Sequence, residues 1–185
     1  MSDGLKIISG GQTGVDRAAL DVAMSLGLPC GGWCPAGRRS EDGVIPDHYP
    51  LVETRSPEFH VRTQRNVETS SATLVLTRGT PTGGTRYTVE IAASIRRPCL
   101  VIDVSARTRD HVADVARWLG AVSPRVLNVA GPRESGAPGI AAETTRILTE
   151  ALLRAGFVRG THNLIASASK DSTASRVPES ARSQA

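Results

Sequence analysis

The sequence predicts an α/β fold in which helices cover both faces of a doubly wound, mostly parallel sheet. Short and almost continuous apolar runs, rich in β-branched residues, recur along the chain as in strands that are buried on both faces. Segments with the apolar spacing of helices separate these runs. A strand that returns to the same sheet through a helix does so by a right-handed crossover, so this alternation favours parallel strands.

The individual elements follow from these patterns in chain order. Strands are expected at residues 5–8, 30–33, 73–76, 100–104 and 126–129, of which the second is the least regular. Helices are clearest at residues 15–26, 112–119 and 140–155, and weaker patterns cover residues 58–70 and 85–96. A glycine follows each of the three clear helices, and glycine is the residue that most often ends a helix.

The chain divides by composition into a body and a tail. Residues 1–158 are predicted to form a single ligand-binding domain, and the length is sufficient for one domain with its own core. Residues 159–185 are rich in serine and alanine and have almost nothing to bury. Because such a segment does not offset its own ordering entropy, it is predicted to be a disordered tail.

Composition and charge exclude several classes of protein. Aromatic residues make up only 3% of the chain, which argues against nucleic-acid readers built on stacking platforms, and no long run of like charges supplies a basic arm. No apolar run approaches the ~20 residues of a membrane span, and the first residues do not resemble a signal peptide. We therefore expect a cytoplasmic protein that binds neither nucleic acid nor membrane. The net charge of +4 fits an anionic partner.

The cysteines and histidines predict no metal site. Cys30 and Cys34 have neither a second cysteine pair nor a histidine pair with which to complete a zinc site, and the four histidines are scattered. We interpret Cys30, Cys34 and Cys99 as small core or loop residues, and a metal or redox role for the first two remains an alternative.

A ligand is expected in the loops that follow the strands, since open parallel sheets bind ligands beyond the carboxyl ends of their strands. These loops are rich in glycine, serine and arginine. Five arginines lie in them: Arg38, Arg39, Arg78, Arg86 and Arg133. Glycine-rich turns that open helices present backbone N–H groups to an oxyanion, and arginine adds bidentate donors. The pattern therefore predicts an anionic, phosphorylated small-molecule ligand.

Two of these loops carry glycine pairs. The loop at residues 10–14 lacks the G-x-G-x-x-G spacing of dinucleotide-binding loops, which disfavours NAD, and both a phosphate cradle and a simple tight turn stay open for it. Asp16, just beyond this loop, is interpreted as stabilising the first helical turn through the helix dipole. In the second loop, Gly83 and Gly84 permit close backbone approach. Further along, Glu90 is either a general acid or base, or a surface partner of Arg86 one helical turn away.

Five ordered blocks of the sequence form a wider pattern, at residues 8–21, 32–43, 62–67, 83–85 and 127–135. Together they resemble the putative molybdenum carrier family, over about residues 5–155. The resemblance implies a Rossmann-like fold of the SLOG superfamily. It also implies a homo-oligomer that holds the molybdenum cofactor, a pterin with a phosphate and an oxo-metal group.

The same resemblance suggests which residues bind this cargo. A phosphate cradle is expected from Gly10, Gly11, Gln12, Thr13, Gly14, Gly83, Gly84 and Thr85. The charge of the ligand would be neutralised by Arg38, Arg39, Arg78 and Arg133. The pterin face would rest against Trp33 or against the glycine turns. A carrier of this kind is expected to act without catalysis and to meet molybdoenzymes or proteins of cofactor synthesis.

Related enzymes of the superfamily keep two further functions open. Those that release cytokinin bases from nucleotides carry a P-G-G-x-G-T-x-x-E motif. The segment from Pro81 to Glu90 is similar, but it lacks the glycine before the threonine and displaces the glutamate. One alternative is therefore an enzyme that cleaves the N-glycosidic bond of a nucleoside monophosphate, with Glu90 as its acid or base. The other is a sensor of a nucleotide-derived signal.

Overall fold

The structure, a computed structural model, describes residues 4–106 and 108–158. In chain order its helices and strands are β1 (Lys6–Ile8), α1 (Val15–Ser25), β2 (Cys30–Gly31), β3 (Trp33–Cys34), β4 (Arg39–Ser40), β5 (Gly43–Val44), β6 (Val52–Glu53), α2 (Phe59–Thr69), β7 (Ala72–Thr77), α3 (Gly83–Ser94), β8 (Cys99–Asp103), α4 (His111–Val122), β9 (Val126–Ala130) and α5 (Ile140–Arg154). The predicted tail at residues 159–185 lies outside the described residues.

The central sheet has five strands in the order β2-β1-β9-β7-β8, and every neighbouring pair is parallel. The predicted α/β fold is confirmed. The strands expected at residues 5–8, 73–76, 100–104 and 126–129 lie in this sheet, whereas the one expected at 30–33 is divided between β2, which belongs to this sheet, and β3, which pairs with β6. Strand β9 occupies the middle although it is the last strand of the chain, and Lys6 pairs in register with Val126. The β7 strand is buried along its whole length, which explains its unbroken apolar sequence.

Two layers of helices cover the sheet. Leu74 and Leu76 of β7 belong to a large apolar core that they share with α1, α4 and α5 on one face. Helices α2 and α3 pack against each other and bury a smaller core of Val67, Ile91 and Ala92. Because each helix removes one apolar face from water, the hydrophobic effect fixes all five helices on the sheet.

Residues 32–56 form an irregular segment that the sequence patterns did not resolve into elements. Strand β3 pairs with β6 in parallel, and β4 pairs with β5 in an antiparallel hairpin. Ile45 and Tyr49 bury this segment against Leu20 of α1 and against Cys34, which is fully buried. Burial raises the pKa of the Cys34 thiol, as expected for a core residue.

Close backbone contacts hold the loops after β1 and β9 together. Gly14 has a φ of +75°, and a Cβ there would lie 2.6 Å from the Pro132 carbonyl oxygen and 2.7 Å from the Glu134 nitrogen. A Cβ on Gly131 would overlap the carbonyl oxygen of Leu76 at the end of β7. Both glycines are therefore needed for packing within the protein, and they bring the carboxyl ends of three strands to one place.

Candidate functional site

A cleft of about 620 Å³ lies at the carboxyl edge of the central sheet. From β9 the strand order runs outward in opposite directions, through β1 to β2 and through β7 to β8. Open α/β sheets bind ligands at such a reversal. The cleft is lined by the loop after β1 (Gln12 and Asp16), by α2 (Phe59, His60, Arg62 and Thr63), by the start of α3 (Thr82, Gly83, Gly84, Thr85, Tyr87 and Thr88) and by the loop after β9 (Ala130, Gly131, Pro132, Arg133, Ser135 and Gly136).

One wall of the cleft is the N-terminus of α3. The N-cap residue Thr82 makes no side-chain capping bond, and its carbonyl accepts the N–H groups of Thr85 and Arg86. No acceptor among the described residues takes the N–H groups of Gly83 and Gly84. A Cβ on either glycine would meet no described atom within 4 Å. Packing does not demand either glycine, although the φ of +51° at Gly83 favours glycine there, and the start of the helix presents two open backbone donors to the cleft.

The floor of the cleft contains a buried ion pair. Arg62 Nη1 lies 3.1 Å from Asp16 Oδ2, and the side chains of these two residues are 14% and 3% exposed. The Gln12 backbone N–H also donates to Asp16 Oδ2, at 3.3 Å. Burial raises the pKa of Asp16, and the Arg62 charge opposes this rise. Gly10 leaves the space for the pair, since a Cβ at Gly10 would overlap Arg62 Nη1.

Gln12 completes the floor and is held in one orientation. Its side-chain oxygen accepts the backbone N–H of Thr13 and that of Glu41, each at 3.0 Å. This fixes Oε1 towards the protein and leaves Nε2 as the group that can still donate. Gln12 Nε2 and Arg62 Nε are both buried and have no acceptor among the described residues. Two buried donors, both on residues that line the cleft, therefore lack an acceptor among the described residues, which is costly in a folded protein.

Two arginines flank one aromatic ring at the mouth of the cleft. The guanidinium carbon of Arg133 lies 5.6 Å from the centre of the Phe59 ring, and that of Arg39 lies 5.9 Å from it. Phe59 begins α2 and lines the cleft together with Arg133. Stacking on the ring positions both cations, and the Glu41 carboxylate partly offsets their charge, since Arg133 lowers the pKa of Glu41.

The structure brings together part of the predicted site. Five of the predicted binding residues line the cleft: Gln12, Gly83, Gly84, Thr85 and Arg133. Gly10 lies behind the floor, next to the Asp16–Arg62 pair. Gly11, Thr13 and Gly14 shape the loop after β1 without lining the cleft, and Arg39 reaches only its mouth.

Other predicted residues lie elsewhere. Arg38 turns back into the protein and donates to four backbone carbonyls, those of residues 45, 46, 49 and 51. Arg78 pairs with Glu143 at 3.2 Å. Trp33 lines a smaller hollow on β3, and the guanidinium of Arg65 lies 5.9 Å from its ring. The side chains of these three residues therefore make contacts within the protein rather than lining the cleft.

Glu90 adopts the surface alternative of the two that the sequence left open. Its carboxylate lies 3.3 Å from Arg86 Nε in an i, i+4 pair, and both side chains are more than half exposed. Glu90 is also absent from the residues that line the cleft. The carboxyl group that does line it belongs to Asp16, which the sequence patterns had assigned only to the helix dipole.

Sequence reasoning also missed Arg62 and His60 as cleft residues. Arg62 is 46 positions from Asp16, and its partner becomes evident only when α2 packs beside the loop after β1. The available signal was its place in one of the family-like blocks. Among residues 4–106 and 108–158, no group of three or more His, Cys, Asp or Glu side chains is arranged to hold a metal ion. Within the same residues, no helix combines the length and apolarity required to cross a bilayer.

Fold and cleft together define an α/β protein of the Rossmann-like type with a small-molecule cleft at its strand ends. Residues 7–152 match the circularly permutated YpsA SLOG family, and the chain belongs to this family. It is similar to a solved structure described as a putative molybdenum carrier protein from Syntrophus aciditrophicus SB. The two chains are 38% identical with a TM-score of 0.77, over 81% of this chain and 96% of that one. No curated protein matches the chain significantly.

Proposed function

We propose that this protein is a molybdenum carrier that binds the molybdenum cofactor, or a related phosphorylated and anionic small ligand, in the cleft and releases it unchanged. The observation that carries the proposal is the open N-terminus of α3, where Gly83 and Gly84 leave their N–H groups unpartnered and the space above them free. A helix N-terminus of this kind favours a phosphate through its N–H donors and its dipole.

Charge at the mouth supports the same proposal. Arg133 and Arg39 bring two guanidinium groups to the side of the cleft where α2 begins, and both are suited to phosphate or oxo groups. The related Syntrophus protein is described as a putative molybdenum carrier, which supports a molybdenum-related cargo, and we propose that this cargo is the molybdenum cofactor. A carrier must pass its cargo on, so we expect it to meet molybdoenzymes or proteins of cofactor synthesis. We further propose that it is a cytoplasmic homo-oligomer.

The first experiment tests the cargo. Molybdenum cofactor is added anaerobically to the purified protein, and the mixture is passed through gel filtration. We expect the cofactor to elute with the protein and to oxidise more slowly than the free compound. Elution of all the cofactor with the small molecules, with no protection from oxidation, would contradict the carrier proposal.

The second experiment tests the phosphate position with a matched pair of variants. Gly84→Ala adds a methyl group in open space at the start of α3, so folding is preserved while an oxyanion loses its close approach. Gly120→Ala makes the same change in α4, again in open space and away from the cleft. We expect at least ten-fold weaker cofactor binding for Gly84→Ala and wild-type binding for Gly120→Ala. Equal binding by both variants would place the phosphate elsewhere.

A nucleoside monophosphate hydrolase is the second candidate, because a buried carboxyl group, that of Asp16, does line the cleft. A general acid for a departing base needs a carboxyl group that holds its proton, and burial raises the pKa of Asp16. The test is base release from a panel of nucleoside monophosphates by the wild type and by Asp16→Asn and Glu90→Gln. Release that Asp16→Asn abolishes and Glu90→Gln preserves would favour the hydrolase. No release from any substrate would exclude it.

A sensor of a nucleotide-derived signal would bind without turnover. A thermal-shift screen separates this alternative, since a ligand at 100 times its dissociation constant stabilises the fold by ~2.7 kcal/mol. A strong shift with an intact nucleotide, together with no retention of molybdenum cofactor, would favour the sensor.

A further inference from the structure

We propose that the floor of the cleft recognises the lactam edge of a 2-amino-4-oxopyrimidine ring, the edge that pterins and guanine share. In this arrangement Asp16 accepts the ring N–H and the exocyclic amino group, while Gln12 Nε2 and Arg62 Nε donate to the ring carbonyl. The proposal rests on the proposed function, because it assumes that the ligand occupies this cleft. It goes further in assigning the ring of the ligand to named side chains.

The two donors without acceptors are the starting point. Gln12 is 5% exposed and its Nε2 is buried without an acceptor, although Oε1 accepts two backbone N–H groups. Arg62 uses Nη1 for Asp16, and its Nε is also buried without an acceptor. Buried donors normally have partners, and both of these belong to residues that line the cleft, so a molecule bound there can supply the acceptor that each lacks.

Asp16 supplies the complementary acceptor beside these donors. The hydrogen bonds from the Gln12 backbone N–H and from Arg62 Nη1 both reach Oδ2, and a hydrogen bond with the Ser9 side chain also lowers the pKa of Asp16. A carboxylate offers about four acceptor positions, so capacity remains for a ligand. A ring that presents one carbonyl next to an N–H and an amino group matches a floor with two donors next to one carboxylate.

The same floor disfavours adenine. An adenine ring presents an amino group where guanine has its carbonyl, and an unprotonated nitrogen where guanine has its N–H. That amino group would meet the donors Gln12 Nε2 and Arg62 Nε, and the ring nitrogen would meet the Asp16 carboxylate. Sites built to hydrogen-bond a substrate reject analogues that leave their buried polar groups unpaired. The cleft volume of about 620 Å³ is within the usual range for a small-molecule site.

The test compares four phosphorylated probes by isothermal titration calorimetry on the wild-type protein. GMP and neopterin monophosphate carry the complete lactam edge, IMP lacks only the amino group, and AMP lacks the lactam. We expect GMP or neopterin monophosphate, or both, to bind at least ten-fold more tightly than AMP. The affinity of IMP should lie between that of the tighter lactam probe and that of AMP. The comparison of GMP with neopterin monophosphate shows whether the ring is a purine or a pterin.

Asp16→Asn tests the assignment to a side chain, because the amide turns one acceptor position into a donor that opposes the ring N–H. We expect the preference for the lactam probe over AMP to fall below three-fold. Asp114→Asn is the matched control, since Asp114 pairs with Arg117 on the surface of α4 and should leave the preference unchanged. The probe comparison on the wild type does not depend on whether Asp16→Asn folds.

Three outcomes would overturn the inference, and they differ in what they mean for the carrier proposal. Equal affinity for all four probes, or a preference that survives in Asp16→Asn, removes the ring assignment and leaves the phosphate site at α3 intact. Binding of none of the probes also overturns the ring assignment, and retention of molybdenum cofactor in gel filtration then decides the carrier proposal separately.

Discussion

Replacing Gly10 by alanine should dismantle the floor of the cleft. A Cβ at this position would overlap Arg62 Nη1 and would lie 2.8 Å from Asp16 Oδ2, closer than a carbon approaches an oxygen in a folded protein. Gly10 directly follows β1, which is paired with β2 on one side and β9 on the other, so the backbone has little freedom and the Arg62 guanidinium has to move away. Asp16 would then stay buried without the cation that faces it.

The size of the effect follows from that loss. Breaking a buried ion pair costs about 3–5 kcal/mol, and we expect about 3 kcal/mol at neutral pH because Asp16 can take up a proton. Burial already raises the pKa of Asp16 in the wild type, and loss of the Arg62 charge raises it further. A carboxyl group whose pKa is raised in the folded state contributes most to the free energy of unfolding at low pH. That contribution is lost as the pH rises through the folded-state pKa. The deficit of Gly10→Ala should therefore grow as the pH rises.

Urea unfolding of the wild type and Gly10→Ala at a series of pH values measures this deficit. We expect the free energies of unfolding to differ by less than about 1 kcal/mol where Asp16 is protonated in both proteins, and by about 3 kcal/mol at neutral pH. For a domain of this size the larger value corresponds to a loss of roughly 6–12 °C in Tm. Gly120→Ala, a glycine with open space around it, is the control and should not destabilise. A deficit that is small at every pH, or that does not change with pH, would refute the reasoning.

Three further predictions concern the segment around residues 38–51. Arg38→Lys should lower the free energy of unfolding by about 1–3 kcal/mol, because lysine cannot replace the guanidinium donors to four backbone carbonyls. The substitution should leave ligand affinity unchanged. Weaker binding with unchanged stability would restore Arg38 to the binding site. Hydrogen bonds from Arg17 lower the pKa of Asp42 to about 2. The contribution of Asp42 to stability should therefore be present above its unfolded-state pKa and disappear as the pH falls towards 2. Acid unfolding of Asp42→Asn beside the wild type measures this contribution, and identical acid profiles would contradict the prediction. Burial and a hydrogen bond to Asp21 raise the pKa of Tyr49 to about 12. The absorbance titration of Tyr49 should therefore shift to lower pH in Asp21→Asn. An unshifted titration would show that this hydrogen bond does not raise the Tyr49 pKa.

The part of the fold that was predictable from sequence is the part governed by continuous apolar patterns. Strand β7 could be predicted because six consecutive residues are buried, and α5 because its buried side chains recur at helical spacing. Strands β3 to β6 could not, because each is a two-residue pairing too short to show a period. Their positions depend on tertiary contacts such as the packing of Ile45 and Tyr49 against Leu20.

The candidate site was predictable only as an edge of the sheet. Backbone features such as Gly83 and Gly84 could be assigned, since a glycine pair before a helix has a local meaning. Side-chain direction could not be assigned, as Arg38 shows. Its φ of +49° and the neighbouring carbonyls turn its guanidinium into the protein, and no local pattern encodes that turn. The pairing of Asp16 with Arg62 likewise joins two elements that sequence separation conceals.

The central position of β9 has a consequence for how the chain is synthesised. Strand β1 leaves the ribosome early, but its neighbour in the sheet begins at Val126, 120 residues later. Until β9 inserts between β1 and β7, the nascent chain holds two separate sheet fragments, each with an open edge. Such edges are prone to pair with other chains, and pairing over this sequence distance slows folding. Chaperone dependence should therefore be greatest for chains truncated before β9 and should fall sharply once β9 has been made.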